Sequence, residues 1–338
     1  MNTLPRHLPG LVDLQVNGYR GLDVNDPDVT PATITALAHE LWQVGTTRWL
    51  PTIVTAGMAQ IERTLAAVHA AREADALVRD SIIGVHLEGP WISPRPEPRG
   101  AHDPRWIRPP DPAEVGAVLE AGRGLIRIVT LAPEVPGADE AIAALVDRGV
   151  LVSLGHSDGA PDDFARAQRL GATLSTHLGN GCAAMLPRQP NLLWTQLDLP
   201  LTPGLITDGH HCSPDFVRVA FAAKGPRAFI VSDAAALAGS PPGVYDTPVG
   251  GQVEVTPDGA LRLPGTTRLA GSGSCLLDCV RTAVGWGLPV DQVIERASRT
   301  PLTLVAEPGT IESWGGDSVE LDEHGTVTGT VIAGTRVF

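Results

Sequence analysis

The sequence predicts an α/β chain folded as a (β/α)8 TIM-like barrel of the metal-dependent hydrolase type, with a small, truncated β appendage. Three observations carry that expectation. Short apolar runs bounded by turn residues alternate with helix-like stretches along most of the chain, and such alternation implies a parallel sheet. Run after run ends on a residue able to bind metal or move a proton, as in a barrel whose active site lies at the carboxyl ends of its strands. At 338 residues and 43% hydrophobic content, the chain suits one large barrel, assigned to residues 1–315, with an appendage over 316–338.

The first strand is expected at Gly10 to Leu14, followed by the loop Gln15-Val16-Asn17-Gly18. Thr30-Pro31 makes a helix start, Thr at the N-cap and Pro at the first helical position, and Gly45 closes that helix. Thr46 to Thr55 reads as a strand and Met58 to Asp75 as an Ala-rich amphipathic helix. The run from Ser81 to Leu87 reads as the next strand and ends on Glu88. Pro90 to Pro112 is irregular and rich in Pro and Arg, and a loop of that length in a compact domain belongs to a functional rim. Ile126 to Leu131 is a strand, Ala138 to Arg148 its helix. Leu151 to Gly155 then leads to His156, and Ala172 to Thr176 leads to His177, with a helix from Pro161 to Leu170 between them. Gly204 to Asp208 leads into His210 and His211, Pro214 to Ala223 is helical, and Ala228 to Ser232 ends on Asp233. Ala234 to Ala270 is rich in Gly and Pro and contains Gln252-Val253-Glu254-Val255, which suits a small hairpin or flap. Helices are expected at Ser274 to Trp286 and Pro289 to Ala297, and β periodicity returns beyond Gly316.

Composition narrows the function. A formal charge of −13 and the lack of a Lys/Arg cluster argue against nucleic acid and against an anionic membrane as partners. No apolar stretch is long enough to span a bilayer, and Met1 to Pro9 lacks the apolar core of a signal peptide, so a cytoplasmic location is expected. The four cysteines, Cys182, Cys212, Cys275 and Cys279, are sparse and irregular, which fits a reducing compartment. Cys275 and Cys279 fall one helical turn apart, but without thiolate or His partners nearby they read as buried structural thiols.

Glu88, His156 and His177 each end a separate strand run, so a closed barrel converges them at one mouth. One carboxylate and two imidazoles are an ordinary ligand set for catalytic zinc. A lone histidine is more often structural, but three such residues at equivalent positions in successive units point to a metal site. Asp233, at the end of the last barrel strand, reads as a general base and acid in preference to a helix N-cap.

The motifs His86-Leu87-Glu88-Gly89-Pro90, Gly155-His156-Ser157, Thr176-His177-Leu178-Gly179-Asn180, Asp208-Gly209-His210-His211, Ser232-Asp233-Ala234 and Leu269-Ala270-Gly271-Ser272 occur in this order. Together they resemble the N-acetylglucosamine-6-phosphate deacetylase family of the amidohydrolase superfamily, from Pro9-Gly10-Leu11-Val12-Asp13 to near Gly316. The resemblance implies that Glu88, His156 and His177 bind metal, that Asp233 moves the proton, and that His102 polarises the substrate carbonyl. It implies sugar-phosphate contacts from Asn180, Gly181 and His211. It also implies that Arg188 reaches the phosphate in a neighbouring subunit, hence a homodimer.

Three departures qualify the resemblance. Gln15-Val16-Asn17 stands where the superfamily commonly has His-x-His, and neutral amides are poor zinc ligands, so one divalent ion per chain, read as Zn2+, is expected. The usual N-terminal strands of the appendage are missing, so the tail beyond Gly316 must make a reduced appendage or a partner must cover it. Gly179-Asn180-Gly181-Cys182 is richer in glycine than usual, which suggests a larger pocket near the sugar. The substrate expected is an N-acetyl amino-sugar phosphate. Alternatives are a deacylase of another N-acyl sugar, a cyclic amide hydrolase on the same fold, and a non-catalytic sugar-phosphate binding protein.

Overall fold

A computed structural model of the protein describes residues 3–247, 251–306 and 316–338. Eight parallel strands form the centre: Leu11–Val16, Thr46–Val54, Val85–Glu88, Ile126–Leu131, Leu151–Leu154, Leu174–Ser175, Thr202–Ile206 and Phe229–Val231. Each pairs with its neighbour in chain order. The seam between the last and first strands is drawn together by a parallel bridge between Val16 and Ala234, with Asn17 N–H donating to the Ala234 carbonyl at 2.8 Å. Asp13 ties the same seam from within, accepting from Ser232 N–H at 3.2 Å. The sheet is thus a near-closed barrel, as the alternation of runs implies.

Strands covered on both faces carry nearly unbroken burial, and Thr46–Val54 is buried from Thr46 through Ile53. Inside the barrel, Val12, Leu14, Leu50, Ile128, Ile206 and Phe229 form a core that Leu302 and Val305 extend. The second and larger core lies between strands and outer helices. Helix Pro31–Gln43 shows how these form: Thr30 caps it in a capping box with Thr33, and Ile34, Leu37, Ala38, Leu41 and Trp42 fall on one buried stripe.

Several expectations shift. Gln15 and Val16 belong to the first strand and are not loop. Ser81 ends a short helix, Ala76–Ser81, that Asp75 caps through Leu77 N–H and Val78 N–H, so the third strand begins only at Val85. The irregular rim carries one helical turn, Pro96–Arg99. Helices Pro112–Gly122, Leu192–Asp198 and Arg299–Val305 complete the outer ring. The expected flap is a three-stranded antiparallel sheet, Gly243–Thr247, Gly251–Val255 and Leu261–Arg262, with its own core of Leu237, Val253, Val255 and Leu261.

The appendage is not confined to residues beyond 316. Strands Ser318–Leu321, Val327–Ile332 and Thr335–Arg336 are joined by His7–Pro9, which pairs antiparallel with Ser318–Glu320. The N-terminal segment therefore supplies a strand that periodicity alone could not reveal in three residues. The expected boundary after residue 315 lies outside the described residues. A buried ion pair, Arg48 Nε to Asp317 Oδ2 at 2.8 Å, fastens this sheet to the second barrel strand.

Candidate metal centre and active site

Glu88, His156 and His177 offer one ligand atom each, and these atoms all lie within 4.8 Å of one another in buried surroundings. Glu88 is the last residue of the third strand. His156 and His177 follow the fifth and sixth strands, with Gly155 and Thr176 between. His156, His177 and Asp233 take left-handed backbone angles, φ of 48°, 28° and 51°. A non-glycine residue in that region is strained by about 1–3 kcal/mol, and such strain clusters at functional sites. The chain reverses at each strand end, which turns the side chain into the mouth.

The donor set fits a cation. His156 Nδ1 lies 2.8 Å from the Pro98 carbonyl, which only accepts, so Nδ1 carries the proton and Nε2 presents a bare lone pair. That Nε2 lies 3.2 Å from Glu88 Oε1 and 3.0 Å from His177 Nε2. Burial alone would raise the Glu88 carboxyl, but its contacts with His156 and His177 outweigh burial and hold it well below the usual range. An ionised carboxylate and imidazole lone pairs packed this tightly call for positive charge between them.

The amide pair of the first strand enters as donors. Gln15 Nε2 donates to Glu88 Oε1 at 2.9 Å, and Asn17 Nδ2 donates to Asp233 Oδ1 at 2.8 Å. Asp233 is partly buried, and desolvation followed by the charge of Glu88 lifts its carboxyl to about 6. His102 lies against the cluster, its Nε2 3.2 Å from His156 Nε2. Its Nδ1 lies 2.8 Å from Thr55 Oγ1 and 3.4 Å from Thr55 N, so Thr55 holds the ring with Nε2 toward the site. Burial pushes His102 down to about 3 and keeps the ring neutral.

Of the expected substrate contacts, Asn180 and Gly181 lie against the centre. Asn180 N–H donates to the His177 carbonyl at 2.9 Å, and Gly181 accepts from Ser157 N–H at 3.0 Å. A side chain at Gly181 would come within 3.0 Å of His156 Nδ1 and 3.1 Å of His177 Cε1, at a φ of 58°. Gly181 thus lets the loop close on the two histidines, whereas Gly179 lets it close on Phe216, which a side chain there would meet at 2.9 Å. His211 is held by Asp208, Nδ1 to Oδ2 at 2.7 Å, and that contact, against burial, takes the Asp208 carboxyl down to about 2. Arg188 is exposed and has no ion pair among the described residues. Cys275 and Cys279 are buried, free thiols, as expected.

Sequence reasoning missed the residues that orient this machinery. Thr55 and Asp208 end apolar runs just as Glu88 does, and that signal could have found them. Pro98, which acts through its carbonyl, and Glu134, whose carboxylate accepts from Ser157 Oγ and Asp158 N–H at 2.7 Å each, left no such trace.

No family model matches the chain. It is similar to an N-acetylglucosamine-6-phosphate deacetylase of Caenorhabditis elegans, 31% identical over 98% of this chain and 82% of that protein. It is also similar to an N-acetylgalactosamine-6-phosphate deacetylase of Shewanella sp. (strain ANA-3), 34% identical over 97% of this chain and 82% of that one. Its fold matches the crystal structure of N-acetyl-D-glucosamine-6-phosphate deacetylase from Mycobacterium smegmatis with a TM-score of 0.87 and 33% identity, covering 98% of this chain and 87% of the other.

Proposed function

The chain belongs to the N-acetylglucosamine-6-phosphate deacetylase family of the amidohydrolase superfamily, and from that membership we propose that it hydrolyses N-acetylglucosamine 6-phosphate to glucosamine 6-phosphate and acetate. The observation that carries the reading is the convergence of Glu88, His156 and His177 beside a partly buried Asp233 whose carboxyl Glu88 and His177 influence. We assign Glu88, His156 and His177 to one divalent ion, read as Zn2+, which when bound supplies a Lewis acid that polarises the amide carbonyl and acidifies water. Asp233, steadied by Asn17, takes a proton from the attacking water and returns it to the nitrogen as the C–N bond breaks. His102 donates from Nε2 to the carbonyl oxygen as negative charge grows there. Asn180, Gly181 and His211 hold the sugar phosphate, with Asp208 orienting the His211 ring.

Arg188 reads phosphate across a homodimer interface. Met185 and Trp194, 90% and 53% exposed, support an apolar contact on the same loop and the helix after it. Among the described residues no helix is long and apolar enough to cross a membrane, in keeping with a cytoplasmic enzyme. The Shewanella relative favours one second reading, N-acetylgalactosamine 6-phosphate as substrate.

The test is acetate release from both phosphorylated sugars and from N-acetylglucosamine, with and without a chelator. Turnover of N-acetylglucosamine 6-phosphate should vanish with chelator and return with Zn2+. Its absence in metal-replete protein overturns the assignment, and a faster rate on the galacto sugar moves it to the second reading.

A further inference from the structure

A histidine that ligates metal through one ring nitrogen normally donates its other N–H to a carboxylate, a carbonyl or a water, and that partner fixes the tautomer. His156 meets this requirement within the protein, through the Pro98 carbonyl. His177 does not. Its Nε2 faces Glu88 at 3.1 Å, while its buried Nδ1 has no hydrogen-bond partner; its own backbone carbonyl acts on the ring without forming a bond of proper geometry.

Two further unpaired atoms accompany it, His86 Nδ1 and Ser175 Oγ. The carbonyl of Leu14 acts on His86 in the same indirect way. His86, Ser175 and His177 line one cavity of about 10 Å³ in the barrel interior. The neighbouring hydroxyls cannot relieve them, because they are engaged with one another. His86 Nε2 lies 2.7 Å from Thr130 Oγ1, which lies 2.6 Å from Thr176 Oγ1, itself 2.6 Å from Ser153 Oγ. With Nε2–H donating into this chain, His86 Nδ1 is left as an acceptor. Unpaired buried polar atoms are rare in folded proteins, and three around one small cavity specify what belongs there. No Asp, Glu, Lys or Arg lines the space, and its volume admits about one water and nothing larger.

We propose that this cavity is a built solvent site whose single water accepts the Nδ1–H of His177 and donates to Ser175 and His86, so that His177 keeps its Nε2 lone pair for the metal. Ser175 and His86 are thereby positioning residues that act on the ion through a water and a ligand. The inference rests on His177 as a metal ligand, not on the identity of the substrate.

Two measurements test it on the full chain. A high-resolution crystal structure of the Zn2+-loaded protein should show one water within about 3.2 Å of His177 Nδ1 and of Ser175 Oγ or His86 Nδ1. A dry cavity, or Nδ1 bonded to a protein carbonyl, overturns the proposal. Zn2+ affinity by chelator competition supplies the second arm. Ser175→Val fills the space and should weaken Zn2+ binding about ten- to a hundredfold, whereas Ser175→Ala removes one partner of the water but leaves the space and should weaken it less. A folded Ser175→Val protein with wild-type affinity overturns it, and if that variant does not fold, the crystal structure decides. Neither arm reads deacetylation, so a wrong substrate assignment leaves both outcomes intact.

Discussion

The role proposed for Asp233 makes two demands: the carboxylate must be ionised to take a proton from water, yet hold that proton well enough to deliver it to an amine. Burial and the nearby charge of Glu88 answer both by lifting the carboxyl to about 6. Asp233→Asn should keep the fold and the bound metal while lowering kcat at least about a hundredfold, read by metal analysis beside steady-state rates. An active, metal-loaded variant would move the proton transfer to another residue. Asp13 shows the same physics applied to stability. Burial, against hydrogen bonds from Ser232 and Gln15, raises its carboxyl from 3.8 to about 7. A folded pKa above the unfolded one gives stability that is complete below about 4 and lost as pH rises through 7. Asp13→Asn keeps an oxygen for Ser232 N–H and loses the buried charge. It should match wild type near pH 4 and be more stable above pH 8, by up to about 4 kcal/mol at about 1.4 kcal/mol per pKa unit. Melting curves across that range check it, and a deficit at every pH would show that the charge itself holds the seam. The cluster of Glu88, His156 and His177 was legible because a polar residue ending an apolar run stands out in one dimension. The partners that set their tautomers were not, since the Pro98 carbonyl reaches His156 from 58 residues away in sequence.

Among the elements, the strand ends were easier to read than the segments between them. The helix Pro112–Gly122 carried a clear start, with Asp111 accepting from Ala113 N–H and Glu114 N–H, but it begins where a Pro-rich rim ends and the rim masked it. Ile82 and Ile83 looked like strand because β-branched runs do, and the capped helix before them shortened the strand. The loop over residues 179–190 is tied to the rim side of the site: Gly181 accepts from Ser157, and Ala184 N–H donates to Glu97 Oε2 at 2.9 Å. Glu97 belongs to the same helical turn whose Pro98 carbonyl fixes His156, so rim, loop and metal ligand share one support. Beyond these ties the loop turns outward and presents Arg188. A charge-assisted hydrogen bond to phosphate is worth about 1.5–3 kcal/mol. Arg188→Ala should therefore lower kcat/KM for the phosphorylated sugar about ten- to a hundredfold and leave the unphosphorylated sugar almost unchanged. Equal losses on both would make Arg188 a support of the loop.

For the whole molecule, the barrel class followed from alternation of runs, whereas the appendage did not, because its first strand is three residues long and its partner lies more than 300 residues away. Arg48 and Asp317 are the fastening, 1% and 4% exposed, with Asp317 also accepting from Ala333 N–H at 2.9 Å. Removing one partner of a buried pair leaves the other charge stranded, at a cost of about 3–5 kcal/mol. Asp317→Ala should lower the urea midpoint accordingly while leaving Zn2+ affinity unchanged, and a loss below about 1 kcal/mol would mean that the pair does not secure the sheet. The pairing of His7–Pro9 with Ser318–Glu320 also sets a clock for synthesis. At roughly 5–20 residues per second, the ribosome delivers the second half of that clasp on the order of 15–60 s after the first. Through that interval the nascent barrel carries an unpaired strand edge, and the Arg48 guanidinium must remain hydrated. The second strand is sealed only when the segment around Asp317 has emerged.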